Sequence, residues 1–397
     1  MDLNYSDDQL MLRESADRFL SERHQFEHFR KIEAAGTAFD EGIWRAFAHL
    51  GWLGLPISER NGGLGGGAIE TAIVAEALGK SLVLAPYVSA VVLAGGLMDE
   101  LGTSAQCNAV LGPLVEGAGI AVLAHDERRM GVTMAGIDTM AVRASTGAGY
   151  RIDGHKTMVL GGAGARTFLV TARVDQASHG AARVGVFIVP SDARGVAVKP
   201  FRTADGGLAA DVSFAGVAVE GDALLGGCDD ASAALRLALD RAAAAVCWDA
   251  VGAMDALLAA TVEFTKQRVQ FGKPLSSFQA LQHRMAEMAV KCTEARATAL
   301  LASLSLEAPE DWRVRGVSGA KAKIGKISRD VAHEAIQLHG AMGFSDELPV
   351  GWWFKRLFVF ENLFGSTGQH LERYRRVVSQ PEFQAESLLR SPALAPN

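Results

Sequence analysis

Residues 5 to 34 set Leu12, Phe19, Phe26 and Phe29 among acids and bases at spacings that return to one side of a helix, which predicts a half-buried helix. A second helical segment spans about Ile43 to Leu50. The stretch LGWLGLPISERNGGLGGG that follows breaks any repeat with Pro56 and the glycines from Gly62 to Gly67, and predicts a loop. Ala- and Leu-rich helices then run from Ile69 to about Val115. Near Ile120 the texture changes. AVRAS, YRIDG, TMVL, TFLVTARV, VGVFIVP, VAVKPF and ADVSFAGVAV are short β-branched runs separated by Gly, Asp and Pro, the pattern of strands. From Ala231 the chain is helical again, with breaks near Gly272 to Ser277, Ala308 to Asp311 and Gly340 to Pro349. The order α, β, α divides the chain into an N-terminal helical domain (1–118), a middle β-domain (119–226) and a C-terminal helical domain (227–397).

With 397 residues, 49% apolar and 21% charged, the chain has material for two or three packed units. A net charge of −6 and a pI near 6.0 give no electrostatic footprint for nucleic acid or anionic lipid. MDLNYSDDQL lacks the basic-then-apolar order of a signal peptide, and Gly, Asp or Arg interrupts the apolar stretches. The expectation is a soluble, cytoplasmic protein with no membrane span. Cys107, Cys228, Cys247 and Cys292 are far apart, and the ten histidines show no ligand spacing, so neither a metal site nor a disulfide framework is expected. No GxGxxG follows a strand and opens a helix, which argues against a dinucleotide-binding Rossmann unit.

Two segments carry candidate chemistry. In TKQRVQFGKPLSSFQALQHRMAEM, Arg268 ends a helical stretch, Phe271 to Pro274 forces a turn, and Phe278-Gln279 opens the next helix. An arginine fork suits a pyrophosphate, and an aromatic beside it can cover an adenine or ribose. Spacing alone fits a surface arginine and a core phenylalanine better. The second segment is AIQLHGAMGFSDELPVGWWFKRL, from Ala335 to Leu357. Together, and in this order, the two resemble the signature regions of the acyl-CoA dehydrogenase family, and the α, β, α order fits that family over essentially the whole chain.

The resemblance implies an α+β multidomain fold with an N-terminal helical domain, a central β-barrel or sandwich and a C-terminal four-helix bundle. It implies FAD, contacted by Arg268, Phe271 and Gln279 and by the stretch Gln337, Leu338, His339, Gly340 and Ala341, with the flavin shared across a subunit interface. His339 is read as a packing residue of the cofactor zone. The β-domain departs from the family. Its TEPxxGSD-like loop is LAHDERRMGVTM here, in which only Glu127 aligns, and its WxTNG strand is MVLGG, Met158 to Gly162.

The family's reaction removes the proton alpha to a thioester carbonyl while the beta hydrogen leaves as hydride to the flavin, which needs a poised carboxylate. Counting from Leu348-Pro349-Val350, Phe364 stands where the family's glutamate belongs. The alternative position on an earlier helix, aligned through Asp240 and Gly252, holds Ala242. Glu361, one helical turn before Phe364 and displaced by about 5 Å, is the candidate substitute base, although a helix-surface or interface acid paired with Arg356 or Lys355 is the reading the sequence favours. The resemblance also extends to heteromeric members in which one subunit type carries the glutamate and the other helps build the FAD site. The implied partners are an acyl-CoA substrate, electron-transfer flavoprotein, and either copies of the chain in a homotetramer or a Glu-bearing paralogue in an α2β2 heterotetramer. An acyl-CoA oxidase or other oxygen-using flavin relative is the competing enzyme class. Trp352, Trp353 and Phe354 read as interface or core, the pair Lys355-Arg356 as a solvated face, and the terminal SPALAPN as frayed.

Overall fold

Ser6 and Gln9 cap the first helix reciprocally, each side chain accepting from the other's backbone N–H, as a capping box does. The computed structural model in which this is seen describes residues 4–128, 136–144, 149–174 and 183–383. Part of the loop after Glu127, from Arg129, and the terminal SPALAPN lie outside them. The chain forms two compact units, neither of them one run of sequence. One gathers the N-terminal residues up to Lys31, Ala68–Val83 and the chain from Ala243 onward; the other gathers Ile32–Gly67 and Leu84–Ala242.

In the first unit the expected single helix over 5 to 34 is two, α1 (Asp7–Arg23) and α2 (Phe26–Ala35). The chain leaves helical geometry at the buried His24. The bend admits Phe29 to the core, edge-on to Trp352 at 5.0 Å. α4 (Ala68–Lys80), α7 (Ser232–Gln267) from Ala243 onward, α8 (Gln279–Leu304), α9 (Glu310–His339), α10 (Pro349–Phe360) and α11 (Thr367–Val378) complete the helical set. α7 is apolar enough over one window to cross a membrane by composition alone, but 72% of that window is buried inside the protein. It is a core helix, and an all-apolar helix belongs in a core.

α4 and α7 cross at backbone distance. A Cβ on Gly79 would overlap the carbonyl of Asp249, and one on Gly252 would overlap the carbonyl of Glu76. Polar groups lock this crossing. Arg296 of α8 forks onto Glu76 at 2.9 and 2.7 Å and reaches Asp255 at 2.5 Å, and the Trp248 indole donates to Ser303 Oγ at 2.9 Å.

The second unit holds α3 (Glu41–His49), α5 (Gly96–Leu101), α6 (Ser104–Val115) and one seven-stranded sheet. The Ile69 to Val115 stretch is not a run of long α-helices. Pro86, which cannot donate a backbone hydrogen bond, precedes a π-helical segment, Tyr87–Gly95, before α5 begins. Asp99 of α5 ties down the glycine-rich loop, accepting from Ser58 Oγ at 2.5 Å and Asn61 Nδ2 at 2.7 Å.

The strands are β1 (Ala121–Ala124), β2 (Met140–Arg143), β3 (Tyr150–Leu160), β4 (Thr167–Val174), β5 (Arg183–Pro190), β6 (Val196–Arg202) and β7 (Leu208–Val219), in the order β1-β4-β2-β3-β7-β6, with β5 on β4. YRIDG and TMVL are one strand, not two. Two register shifts against β7 let β3 run through both, and the missing Cβ of Gly154 leaves room for the Thr139 side chain. Beyond the sheet, α7 leads into a two-stranded hairpin, β8 (Val269–Gln270) and β9 (Lys273–Pro274).

The α4–α7 crossing makes a prediction. Gly252→Ala should lower stability by about 2–3 kcal/mol, because the helices must separate around the new methyl. A urea midpoint unchanged within error would show that the crossing relaxes freely.

Candidate functional site

Arg268 follows the last residue of α7, and the hairpin it enters closes on two residues, Phe271 (φ 56°) and Gly272 (φ 80°). Both lie in the left-handed region, as in a type I′ turn. Glycine adopts that geometry freely. Phenylalanine does so at a cost. Its ring is 89% exposed, 6.2 Å from Phe278 in an edge-on contact, while Lys273 Nζ lies 4.3 Å from the Phe278 ring. Gln279 is the first residue of α8 and is exposed. One hairpin thus presents a guanidinium, an ammonium, an open aromatic face and a helix N-terminus.

The second signature stretch meets this end of the unit. Phe264, one turn before Arg268, stacks on the His339 ring with centroids 4.4 Å apart. The five residues from Gln337 to Ala341 divide in two. Leu338 and His339 are buried, and His339 Nδ1–H donates to the Ala335 carbonyl at 2.8 Å. Burial lowers the imidazole's pKa, the carbonyl partly opposing it, so the ring packs as a neutral group. Gln337, Gly340 and Ala341 are exposed. Gly340 ends α9 at φ 61° with no atom within 4 Å of where its Cβ would stand. A planar ligand can approach backbone there. The cations, open ring, exposed amide and bare glycine fit a flavin dinucleotide; Leu338 and His339 can only support it from behind.

The turn between α10 and α11 carries Phe364, the residue that the sequence aligns with the family's glutamate. α10 ends at Phe360, so Glu361 and Phe364 are not successive positions on one helix face. Phe364 sits at φ 54° and Gly365 at φ 109°. Three groups hold them. Lys321 of α9, wholly buried, donates to the carbonyls of Phe360 (3.0 Å), Glu361 (3.2 Å) and Gly365 (3.1 Å). His370 Nε2–H donates to the Phe364 carbonyl at 2.9 Å, its Nδ1 accepting from Ser318 Oγ at 3.1 Å. Ser366 and Gln369 cap α11 reciprocally.

The pairing expected for Glu361 is different in the fold. Its carboxylate lies 3.5 Å from Arg329, with the side chain 19% exposed. Arg356 is instead bidentate to Asp249 at 2.8 and 2.6 Å, and Lys355 reaches Asp346 at 3.2 Å. Lys355-Arg356 is therefore not a free solvated face. Trp352 is buried and Trp353 half-buried, donating to the Lys80 carbonyl at 3.2 Å. Ala242, on α7, is wholly buried and offers no functional group.

In the second unit, Met158 stands at φ 54° where β3 slips register against β7. Beneath it lies an ion pair that sequence reasoning missed. Lys156 Nζ, with no exposed surface, donates to Glu127 Oε1 at 2.7 Å, Thr171 Oγ1 at 2.9 Å and the His125 carbonyl at 3.1 Å. Glu127 also accepts from the backbone N–H groups of Asp138 (2.6 Å) and Thr139 (3.1 Å) and from Thr139 Oγ1 (2.7 Å). Burial works against the Glu127 carboxylate, but Lys156 and these donors override it and hold its pKa below the ordinary value. Glu127 is thus a structural acid. The alternation of β3 pointed to Lys156, which falls in step with the buried Tyr150 and Ile152.

Residues 6–118, 123–216 and 232–378 match the N-terminal, middle and C-terminal domains of acyl-CoA dehydrogenase. Acyl-CoA dehydrogenase FadE27 of Mycobacterium tuberculosis is 31% identical over 368 residues, covering 89% of this chain and 92% of that protein. Among solved structures, the ChsE4-ChsE5 complex from M. tuberculosis superposes with a TM-score of 0.85 at 27% identity, covering 96% of this chain and 99% of that one. Butyryl-CoA dehydrogenase from Megasphaera elsdenii gives a TM-score of 0.87 at 25% identity, covering 96% and 100%.

Breaking the buried pair should be costly. Lys156→Met is expected to lower stability by about 3–5 kcal/mol, because it strands a buried carboxylate. The pH dependence has a definite sign. The stability contributed by Glu127 is complete above its unfolded pKa and lost as pH falls through the lower folded value, so Glu127→Gln should flatten the acid limb of a stability–pH profile. An unchanged acid limb would remove the pair from the account.

Proposed function

The chain belongs to the acyl-CoA dehydrogenase family, and we propose that within it the chain is a subunit that builds the FAD site without carrying the base of the reaction. The protein is an oxidoreductase acting on acyl-CoA, with FAD as cofactor. FAD supplies the acceptor for the hydride that leaves the beta carbon. Forming a trans-2-enoyl-CoA also requires a group that takes the alpha proton. One observation carries the proposal: Phe364, with no proton acceptor, occupies the α10–α11 turn. Glu361 is engaged with Arg329, and reactions of this kind are sensitive to displacements on the order of 1 Å, worth about a hundredfold.

In this assignment Arg268 and the start of α8 at Gln279 bind the pyrophosphate, Phe271 covers the adenine or ribose, and Gln337, Gly340 and Ala341 meet the flavin. Leu338 and His339 hold that last stretch in place. The three domains are 1–118, 119–226 and 227–397. The HDER-type loop, the VLGG strand and LFG at Leu363 to Gly365 resemble the small subunit of pimeloyl-CoA dehydrogenase, which favours an α2β2 heterotetramer with a Glu-bearing paralogue. The ChsE4-ChsE5 neighbour is itself named as a complex of two proteins. The resemblance assigns the electrons to electron-transfer flavoprotein. An oxidase would instead release hydrogen peroxide without an added acceptor.

The isolated chain is expected to bind FAD but not turn over acyl-CoA, with turnover appearing on mixing with the Glu-bearing partner. Robust dehydrogenation by the lone wild-type chain would overturn the assignment. Phe364→Glu should raise dehydrogenation by about 10²–10⁴-fold, the usual worth of a positioned base. No gain with FAD and acyl-CoA both bound would mean that the pocket, and not only residue 364, has changed.

A further inference from the structure

Lys321 is an unusual cation. It lies in the middle of α9 with no exposed surface, and among the described residues no carboxylate pairs with it. Its hydrogen bonds run to the carbonyls of Phe360, Glu361 and Gly365 at 3.0, 3.2 and 3.1 Å, and its Nζ lies 4.4 Å from the Phe360 ring. Two of those carbonyls end α10, where the helix dipole presents its negative pole. The third lies beyond Phe364. The side chain therefore bridges the two sides of the turn that carries residue 364.

We propose that Lys321 is a positioning residue: its buried ammonium, acting through these three carbonyls, holds the α10–α11 turn in the one shape that presents residue 364. Among the described residues, His370 donates to the Phe364 carbonyl and Arg329 pairs with the Glu361 carboxylate; each of these bonds reaches one residue of the turn, whereas the ammonium bonds three. Without the ammonium, the Glu361 and Gly365 carbonyls lose this donor, the Phe360 carbonyl keeps only that of Leu363 N–H, and the left-handed Phe364 backbone is held less firmly, by His370 and the α11 cap.

The charge itself matters. The titratable groups facing the ammonium are Cys247 of α7 and Glu361 of the turn, both favouring the protonated form, while His370 of α11 faces the other side of Gly365. Burial pulls Lys321 down to about 8, against the carbonyls, which favour the charge. As pH rises through that value the folded chain loses this proton before the unfolded chain does, so this group's contribution to global stability improves. The turn meanwhile loses its clamp. Local order and global stability then move in opposite directions, which a lysine that merely fills space would not cause.

Amide exchange in the FAD-loaded protein tests this. The N–H groups of Glu361, Asn362 and Leu363 bond to the carbonyls of Leu357, Val359 and Phe360, so they report on the turn. After correction for intrinsic rates, their protection should fall at least tenfold from pH 7 to pH 9 in the wild type, with α8 unchanged. Lys321→Met should show the low protection at both pH values, and Lys321→Arg, charged throughout, should keep the high one. A folded Lys321→Met chain with wild-type protection at the turn, or a loss spread evenly over α9 and α11, overturns the proposal. If Lys321→Met does not fold, Lys321→Gln takes its place: a folded Lys321→Gln chain with wild-type protection at the turn overturns the proposal. A second arm rests on the function proposed above. In the Phe364→Glu background, Lys321→Met should lower kcat at least tenfold and leave KM nearly unchanged. Exchange is read whether or not that background is active, so failure of the positioning role and failure of the functional reading remain distinct.

Discussion

An ammonium sealed from water must find oxygen, and Lys321 finds it in the backbone at the end of α10. This constraint reaches further than one side chain. It fixes where α10 stops, and with His370 and the α11 cap it fixes the path from Phe360 to Thr367. The sheet unit has a counterpart of different design. There Lys156 meets a carboxylate, a hydroxyl and a carbonyl, and Glu127 meets three further donors. Fully satisfied buried networks of this kind specify geometry more than they add stability.

Backbone strain falls where that geometry is used. Among the described residues, Leu82, Met158, Phe271 and Phe364 are the non-glycine residues with positive φ. Met158, Phe271 and Phe364 are residues picked out by the two signature segments, the MVLGG strand and the missing base. A bulky side chain in the left-handed region costs on the order of 1–3 kcal/mol and persists only where the surroundings over-determine it. In the proposed subunit role, the chain keeps the backbone of a reactive site while holding a phenyl ring where the chemistry asks for a carboxylate.

The site was partly legible. The hairpin from Arg268 to Gln279 could be placed because Gly272 and Pro274 leave the chain few ways to turn, and the bareness of Gly340 follows from its missing side chain. Which residues of Gln337 to Ala341 face outward could not be read, because it depends on how far α9 continues before it ends. The partner of Glu361 was misassigned for a similar reason. Arg356 is near in sequence, but α10 turns it toward Asp249, and Arg329 arrives from another helix. Lys321 left a faint signal, lying among Val314, Val317, Ile324 and Ser328 on the buried face of α9. A lysine in that series asks for a partner, and only backbone carbonyls distant in sequence supply it.

Sequence by itself determined the order of helices and strands, the family, the hairpin between Arg268 and Gln279 and the absence of glutamate at position 364. These follow from local patterns of apolar residues, turn formers and residue identity. Tertiary structure decided that YRIDG and TMVL are one strand, that the 5–34 helix bends at His24, and that the Ala-rich stretch passes through a π-helix. It also decided that buried lysines set the shape of the turn and the sheet. Those features depend on packing and on hydrogen bonds between residues far apart in the chain, and no local pattern encodes which distant carbonyl or carboxylate a buried charge will meet.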